Sequence, residues 1–262
     1  MGESDDGKEA DEDRIRGWWH VNRSGFPISS ETWECMWQHV IEVHPQGASL
    51  AREIRGLLCK RLSTPAPPVV SSQLSVEQSI LAVQTYLNEL QYNHTGTQFF
   101  EIRKSRPLSR LMESAKEIIR ESLPIKCLEA VVVALYLTSP LTSVHRTALS
   151  FKSKQGDLYF RHVVLAVHSG SSYGALGLSR RQELMYKPLE YKSLYDLVRE
   201  FIECYKKCNH TVVKVCLSAI VVHDLHSCEQ IQWKHLTMRN GDLQDDILKR
   251  QLEKFSRVMR TS

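Results

Sequence analysis

A cysteine at the predicted start of a helix is the first candidate for chemistry in this sequence. Cys127 follows Ser122 and Pro124, residue types that favour a helix N-cap and a first helical turn. The unpaired N–H groups of such a turn, together with the charge of Lys126, favour a thiolate over a thiol. A small core cysteine fits the same stretch, and the β-branched run at 131–133 also suits a strand. This segment alone leaves the nucleophile and core interpretations open.

A histidine and a serine downstream are the candidate partners of that thiol. His162 falls on a predicted strand, on the face that also carries Phe160, Val164 and Ala166. Its imidazole could accept the thiol proton if an acceptor fixed the other ring nitrogen, and Ser179, ending the next predicted strand, offers one. A cysteine that opens a helix, followed by a histidine on an antiparallel strand, is typical of papain-like and transglutaminase-like thiol enzymes. A hydrogen-bonded core histidine and a serine that caps a helix remain the alternatives.

The elements that position these residues begin with a helical first half. Apolar side chains recur at helical spacing in several segments ahead of Cys127, and a Pro-rich linker at 63–68 separates the first two segments from the others. The segment at 97–104 suits either a brief strand or an irregular connection. The predicted helices are 30–44, 50–58, 75–90 and 108–118.

The second half changes to the period of two that strands show. Short turns join the first three predicted strands, which implies an antiparallel arrangement. Further helices are predicted from Ser193 and around Leu248. Helices followed by an antiparallel sheet indicate an α+β fold. The predicted strands are 147–154, 158–168, 173–178 and 211–222.

The first predicted helix carries an apolar stripe that two interpretations explain. Trp33, Met36, Trp37 and Val40 lie on one face of this helix. Such stripes usually pack into a core. Here the helices are short and a Pro-rich linker isolates them, so a groove for a partner helix competes with the core interpretation.

Charge and composition restrict the function classes. Residues 1–14 contain seven acidic and two basic side chains, a net charge of −5, so the remaining residues carry +9. The start reads as a disordered tail, and the basic body suits an acidic partner such as nucleic acid, an anionic membrane or an acidic polypeptide. No apolar run is long enough to cross a membrane, and the acidic start is not a secretory signal. Seven cysteines, an odd number, favour free thiols in a reducing cytosol.

Two further classes are considered and set aside. Cys204, Cys208 and His210 precede other cysteine and histidine residues, but no CxxC pair or recognisable finger spacing appears, so we predict no metal and no cofactor. The sequence contains no nucleic-acid-binding signature in which aromatic residues alternate with basic ones, so we predict no nucleic-acid partner. We also predict no membrane partner.

Several long strings resemble the vasohibins. The resemblance covers residues from about 20 to 260, and its length and unbroken character make it specific. Residue choice differs from the family at 138–146, at 213–226 and in the linker at 63–73. The matching strings are HVNRSGFP (20–27), YNHTGTQFFEIRK (92–104), PIKCLEA (124–130), YFRH (159–162) and YGALGLSRR (173–181).

The resemblance implies a transglutaminase-like cysteine protease fold and the removal of the C-terminal tyrosine of α-tubulin. It implies that Cys127 is the nucleophile, His162 the base and Ser179 the residue that orients the histidine. By the same resemblance, a basic groove receives the glutamate-rich tubulin tail. The positions implied for substrate binding are Tyr92, Lys104, Lys126, Lys152, Arg161 and Arg180.

The resemblance also implies a helical partner, the small vasohibin-binding protein, on the stripe of Trp33, Met36, Trp37 and Val40. We expect a disordered tail at 1–17, a helical partner-binding domain at 18–120 and a catalytic α+β domain at 121–262. The expected location is the cytoplasm, on microtubules, and the sequence leaves unconventional secretion open. A non-catalytic module that binds microtubules through the basic groove is the alternative function.

Overall fold

The structure, a computed structural model, describes residues 28–58, 64–70 and 74–260. The tail predicted at 1–17 and the string at 20–27 lie outside the described residues. The chain divides into two compact units, Met1–Ser63 and Thr64–Ser262. The division falls in the Pro-rich linker, so the helices predicted at 75–90 and 108–118 share a unit with the sheet, whereas the sequence suggested a boundary at residue 120.

The described part of the N-terminal unit consists of two helices, α1 (Ser30–Val43) and α2 (Gly47–Leu58). The Ser29 hydroxyl accepts a hydrogen bond of 3.1 Å from the N–H of Thr32 and caps α1. A Cβ atom on Gly47 would lie 2.2 Å from the carbonyl oxygen of Val40, so this tight turn requires glycine. The turn brings the two predicted helices into contact with each other.

Five α-helices lie in the described part of the second unit: α3 (Val76–Leu90), α4 (Leu108–Glu121), α5 (Cys127–Leu137), α6 (Leu194–Lys207) and α7 (Asp245–Arg260). Ser75 begins α3 with a capping box, as its spacing to Gln78 allows. The segment at 97–104 is irregular. None of the described helices is long and apolar enough to span a membrane.

Helix α5 begins at Cys127 itself, which corrects the predicted start near Ser122. Ser122 instead ends α4 in a left-handed conformation (φ 49°), and its N–H donates to the carbonyl of Ile118 at 2.9 Å. Lys126 is the N-cap of α5. The β-branched run at 131–133 is helical and fully buried, because the sheet on one side and α3 and α4 on the other cover α5.

The second unit contains an antiparallel sheet of six strands within the described residues, in the order β4-β3-β2-β1-β5-β6. The prediction from sequence lacks β4 and β6, which are only five and four residues long. It also extended β5 to residue 222, whereas the strand ends at Leu217. The strands are β1 (His145–Gln155), β2 (Leu158–Ser169), β3 (Ser172–Leu176), β4 (Lys187–Tyr191), β5 (Thr211–Leu217) and β6 (Leu236–Arg239).

Two hydrophobic cores lie on the two faces of this sheet. Val163, Leu165 and Val167 of β2 face the core that contains α3, α4 and α5. Val164 and Ala166 face the core that contains α6 and α7. The alternation of β2 therefore separates the two layers, and the predicted α+β class is confirmed.

Candidate active site

The first turn of α5 presents Cys127 at the edge of the core. The side chain is half-buried and packs against the core beneath α5. A carboxylate oxygen of Glu129 accepts a hydrogen bond of 2.7 Å from the N–H of Lys126. Because Glu129 is only 2% exposed, this bond fixes the start of the helix and with it the position of the thiol.

Tyr92 is held beside Cys127 by a short stretch of backbone pairing. The N–H of Ile125 donates to the carbonyl of Gln91 at 3.0 Å, and the N–H of Asn93 donates to the carbonyl of Ile125 at 2.8 Å. This bridge fixes Tyr92 two residues before the helix that carries the cysteine. Burial raises the pKa of Tyr92 and the charge of Cys127 adds to the rise, while Arg180 opposes it.

The thiol of Cys127 contacts the strand that carries the candidate base. Burial raises the pKa of Cys127, while hydrogen bonding to the backbone of Val163 lowers it. Two smaller effects oppose each other: Glu129 raises this pKa, and Lys104 lowers it. Desolvation outweighs the helix terminus, so the resting site holds a thiol. This corrects the expectation that the helix start favours a thiolate.

His162 directly precedes Val163 on β2, so the backbone of the histidine adjoins the segment that Cys127 contacts. Its Nε2 lies 2.7 Å from the carbonyl oxygen of Leu184, in a short 3₁₀ helix at Gln182–Leu184. Burial lowers the pKa of His162 to about 4, although the Leu184 carbonyl opposes this shift. The imidazole is therefore neutral near pH 7 and has the capacity to accept a proton.

Ser179 does not make the contact that the sequence suggested. Its hydroxyl oxygen accepts a hydrogen bond of 3.2 Å from the N–H of Arg181, whereas the described hydrogen bond of His162 goes to Leu184. The strand end before Ser179 is fixed by Gln84 of α3. The side-chain amide of Gln84 donates to the carbonyl of Gly177 and accepts from its N–H, each at 3.0 Å.

The predicted basic residues lie around this site on separate elements. Arg180 is exposed and hydrogen-bonds Tyr92, which places its guanidinium at the mouth of the site. Lys104 is exposed as a residue, yet its ammonium lies 4.6 Å from the centre of the Trp233 ring, and desolvation lowers its pKa. Lys126 is the half-buried N-cap residue of α5.

Lys152 and Arg161 belong to a longer row of cations. Arg161 of β2 pairs with Lys152 of β1, which pairs with Lys214 of β5, which pairs with Arg239 of β6. Directly paired residues share a face of the sheet, and this face is the one that packs against α5. Lys152 also lies 4.0 Å over the ring of Tyr159. A continuous basic row therefore leads away from the region of Cys127.

The apolar stripe of α1 is not a closed core within the described residues. Trp33 is 41% exposed, and Met36, Trp37 and Val40 are only half-buried. The rings of Trp33 and Trp37 stack with their centres 6.3 Å apart. No residue of α1 is buried, so the helix presents an apolar face that the described residues of its unit do not cover.

In the described part of the chain, no group of three histidine, cysteine or acidic residues is placed to hold a metal ion.

Two residues of the site were not predicted from the sequence. Leu184 acts through its backbone carbonyl, which leaves no signal in residue type. Trp233, whose indole N–H donates to the carbonyl of Lys104 at 3.0 Å, lies in an irregular segment without periodicity.

Comparison with known proteins identifies the family of this chain. The family model described as Vasohibin matches residues 18–260. Tubulinyl-Tyr carboxypeptidase 1 of the mouse, Mus musculus, is 47% identical over 241 residues, which cover 92% of this chain and 64% of the mouse protein. The match thus spans less than two-thirds of the length of that relative. Because the family model covers nearly the whole sequence, this chain belongs to the vasohibin family.

Proposed function

We propose that this protein is a cysteine carboxypeptidase that removes the C-terminal tyrosine from α-tubulin. The single observation that carries the proposal is the meeting of Cys127, at the start of α5, with the backbone of Val163 next to His162. The name of the mouse relative, a tubulinyl-Tyr carboxypeptidase, supports the substrate.

In the proposed reaction His162 accepts the proton of the Cys127 thiol, and the sulfur attacks the carbonyl before the terminal tyrosine. The protonated imidazole then gives its proton to the leaving amine. Water, activated by the same histidine, hydrolyses the thioester. Since burial disfavours each isolated charge, we expect the thiolate and the imidazolium to form as a pair, when substrate is bound.

The acceptor that orients the imidazole is, in this proposal, the carbonyl of Leu184. The 2.7 Å contact to Nε2 leaves Nδ1 for the thiol. We retain Ser179 as a substrate-contacting residue next to Arg180 rather than as the third member of the triad. A backbone carbonyl accepts this hydrogen bond without carrying a charge. No ionised side chain therefore needs to be buried beside the half-buried histidine.

Recognition of a free chain end falls to Arg180 and its surroundings. A guanidinium can bind a terminal carboxylate through two parallel hydrogen bonds. Tyr92 interacts with both Arg180 and Cys127, so it would line the pocket next to the bound chain end. Lys104 and Lys126 add positive charge on the other sides of the thiol, so the substrate terminus would meet an anion-binding pocket.

The acidic residues upstream of the terminal tyrosine would follow the basic row of Arg161, Lys152, Lys214 and Arg239. An extended peptide advances about 3.3 Å per residue, so several acidic side chains could reach a row that crosses four strands. The proposal therefore places the protein on microtubules in the cytoplasm.

We also propose that the exposed stripe of α1 receives the small vasohibin-binding protein. Two tryptophans on a short helix offer the large apolar anchors typical of binding hot spots. The half-buried state of Met36 and Val40 leaves them available to a partner helix.

The experiment that tests the function is incubation of the purified protein on tyrosinated microtubules, with and without the partner. Release of free tyrosine, measured by mass spectrometry, would support the carboxypeptidase. The competing function is a module that binds microtubules through its basic row without catalysis. Co-sedimentation with microtubules but no release of tyrosine, with the partner present, would favour that module.

A further inference from the structure

A lysine, a cysteine and a glutamate meet at a second site, on the face of the sheet that α6 covers. The Nζ of Lys187 lies 3.3 Å from the Sγ of Cys204 and 3.4 Å from Oε1 of Glu200. The Sγ of Cys204 lies 3.3 Å from the same carboxylate oxygen. Amine, thiol and carboxylate thus form a nearly equilateral triangle, in which each group contacts the other two.

The backbone supplies this triangle from two elements. Lys187 is the first residue of β4, and Glu200 and Cys204 are one turn apart on α6. Lys187 is 8% exposed and Cys204 is 3% exposed, whereas the side chain of Glu200 is 37% exposed. The carboxylate therefore connects a buried amine and thiol to solvent.

Burial and the neighbouring Lys187 shift the pKa of the Cys204 thiol in opposite directions. Burial raises the pKa of the Cys204 thiol, and the hydrogen bond from Lys187 lowers it. Oxidation of this sulfur is therefore slow compared with an activated thiolate. Once it has occurred, however, the oxidised sulfur lies within reach of the Lys187 amine, whose nitrogen is 3.3 Å from Sγ.

We propose that Lys187 and Cys204 form a covalent sulfur–nitrogen cross-link when hydrogen peroxide oxidises the protein. In the first step the sulfur attacks one peroxide oxygen, the O–O bond breaks, and the products are a sulfenic acid and one water. The sulfur loses two electrons and the peroxide gains them.

In the second step the amine of Lys187, after passing its ammonium proton to Glu200, attacks the sulfur of the sulfenic acid. The S–N bond forms, the S–O bond breaks, and the hydroxyl leaves as a second water with a proton. The two side chains together lose two hydrogen atoms. The cross-link ties the start of β4 to α6, and it depends on none of the residues of the proposed active site.

The test treats the full chain, carrying Cys127→Ser to remove the candidate nucleophile, with hydrogen peroxide and digests it without reductant. We expect a joined pair of peptides that contains residues 187 and 204, about 2 Da lighter than the sum of the two unmodified peptides. Treatment with a thiol reductant before digestion should separate them. Absence of the joined pair, while the exposed Cys35 and Cys228 are oxidised, would overturn the proposal.

Two variants check the chemistry, one at the amine and one at the carboxylate. Lys187→Arg keeps a cation beside the sulfur but offers a guanidinium that stays protonated, so Cys204 should stop at a sulfenic acid that dimedone traps. Glu200→Gln removes the proton acceptor and should slow cross-linking by about tenfold. Joined peptides in Lys187→Arg, or an unchanged rate in Glu200→Gln, would contradict the proposed steps.

Discussion

The Nε2 atom of His162 lies 2.7 Å from the carbonyl oxygen of Leu184, a contact that joins the central strand β2 to the 3₁₀ turn before β4. This contact orients the imidazole ring through a backbone carbonyl. In a catalytic triad the ring is more often oriented by a side-chain acceptor. The described hydrogen bond of the ring therefore goes to Leu184 and not to Ser179, the residue that the resemblance to the vasohibins implies as the acceptor.

We predict that Ser179→Ala leaves the chemical step largely intact. Because Leu184 orients the imidazole, kcat should fall by less than about tenfold, and any larger loss should appear in KM through the neighbouring Arg180. Steady-state kinetics on a tubulin-tail peptide would measure both values. A fall in kcat of about a thousandfold with unchanged KM would return Ser179 to the orienting role.

The half-buried histidine also predicts a loss of stability in acid. The pKa of His162 is lowered from 6.5 to about 4, so between these values the unfolded chain binds a proton that the folded chain does not. The free energy of unfolding should be unaffected above pH 6.5 and should fall by about 3 kcal/mol as the pH drops to about 4.

The matched control for this pH dependence is His162→Gln, which cannot titrate. The difference between the denaturant unfolding curves of the two proteins should change across this pH range, since carboxylates that titrate there are common to both. Parallel pH profiles for the two proteins would contradict the burial argument.

Arg180 should distinguish a carboxypeptidase from a general thiol protease. Arg180→Lys keeps the charge but loses the two-point contact, so kcat/KM should fall, and Arg180→Ala should fall further, by roughly thirtyfold or more. A peptide with an amidated terminal tyrosine should lose a similar factor on the unchanged protein and nothing further on Arg180→Ala. If the two losses simply multiply, Arg180 does not bind the carboxylate, and Lys104 is the next candidate.

The exposed stripe predicts a partner interface on α1. Trp33→Ala or Trp37→Ala should weaken binding of the small vasohibin-binding protein by about 2 kcal/mol or more, measured by calorimetry. Leu81→Ala is the control, because Leu81 is a comparably exposed apolar side chain, at 52%, on a helix of the other unit. Unchanged affinity together with a lowered melting temperature would show that the tryptophans serve the fold instead.

The sequence predicted the parts of this fold that follow from periodicity. The alternation of β2 placed His162 on a strand, and the apolar spacing of α1, α3 and α4 located those helices close to their observed bounds. The short β4 and β6 have too few residues for a period to be visible, so they were missed.

The candidate site was harder to predict from the sequence than the fold. Ser122 and Pro124 looked like a helix start, but the left-handed conformation of Ser122 closes α4 instead, and Lys126 begins α5. The role of Leu184 depends on a carbonyl, which every residue type carries. The raised pKa of Cys127 depends on burial by distant segments, which no local motif records.

The most direct test of the account is the release of tyrosine from microtubules by the partner-bound protein and by its Cys127→Ala variant. Both should show the same melting temperature and bind microtubules equally, because the half-buried thiol makes a small contribution to the core. The unchanged protein should release tyrosine, and the variant should release none above background. Release by Cys127→Ala at a rate near that of the unchanged protein would contradict the assignment of Cys127 as the nucleophile.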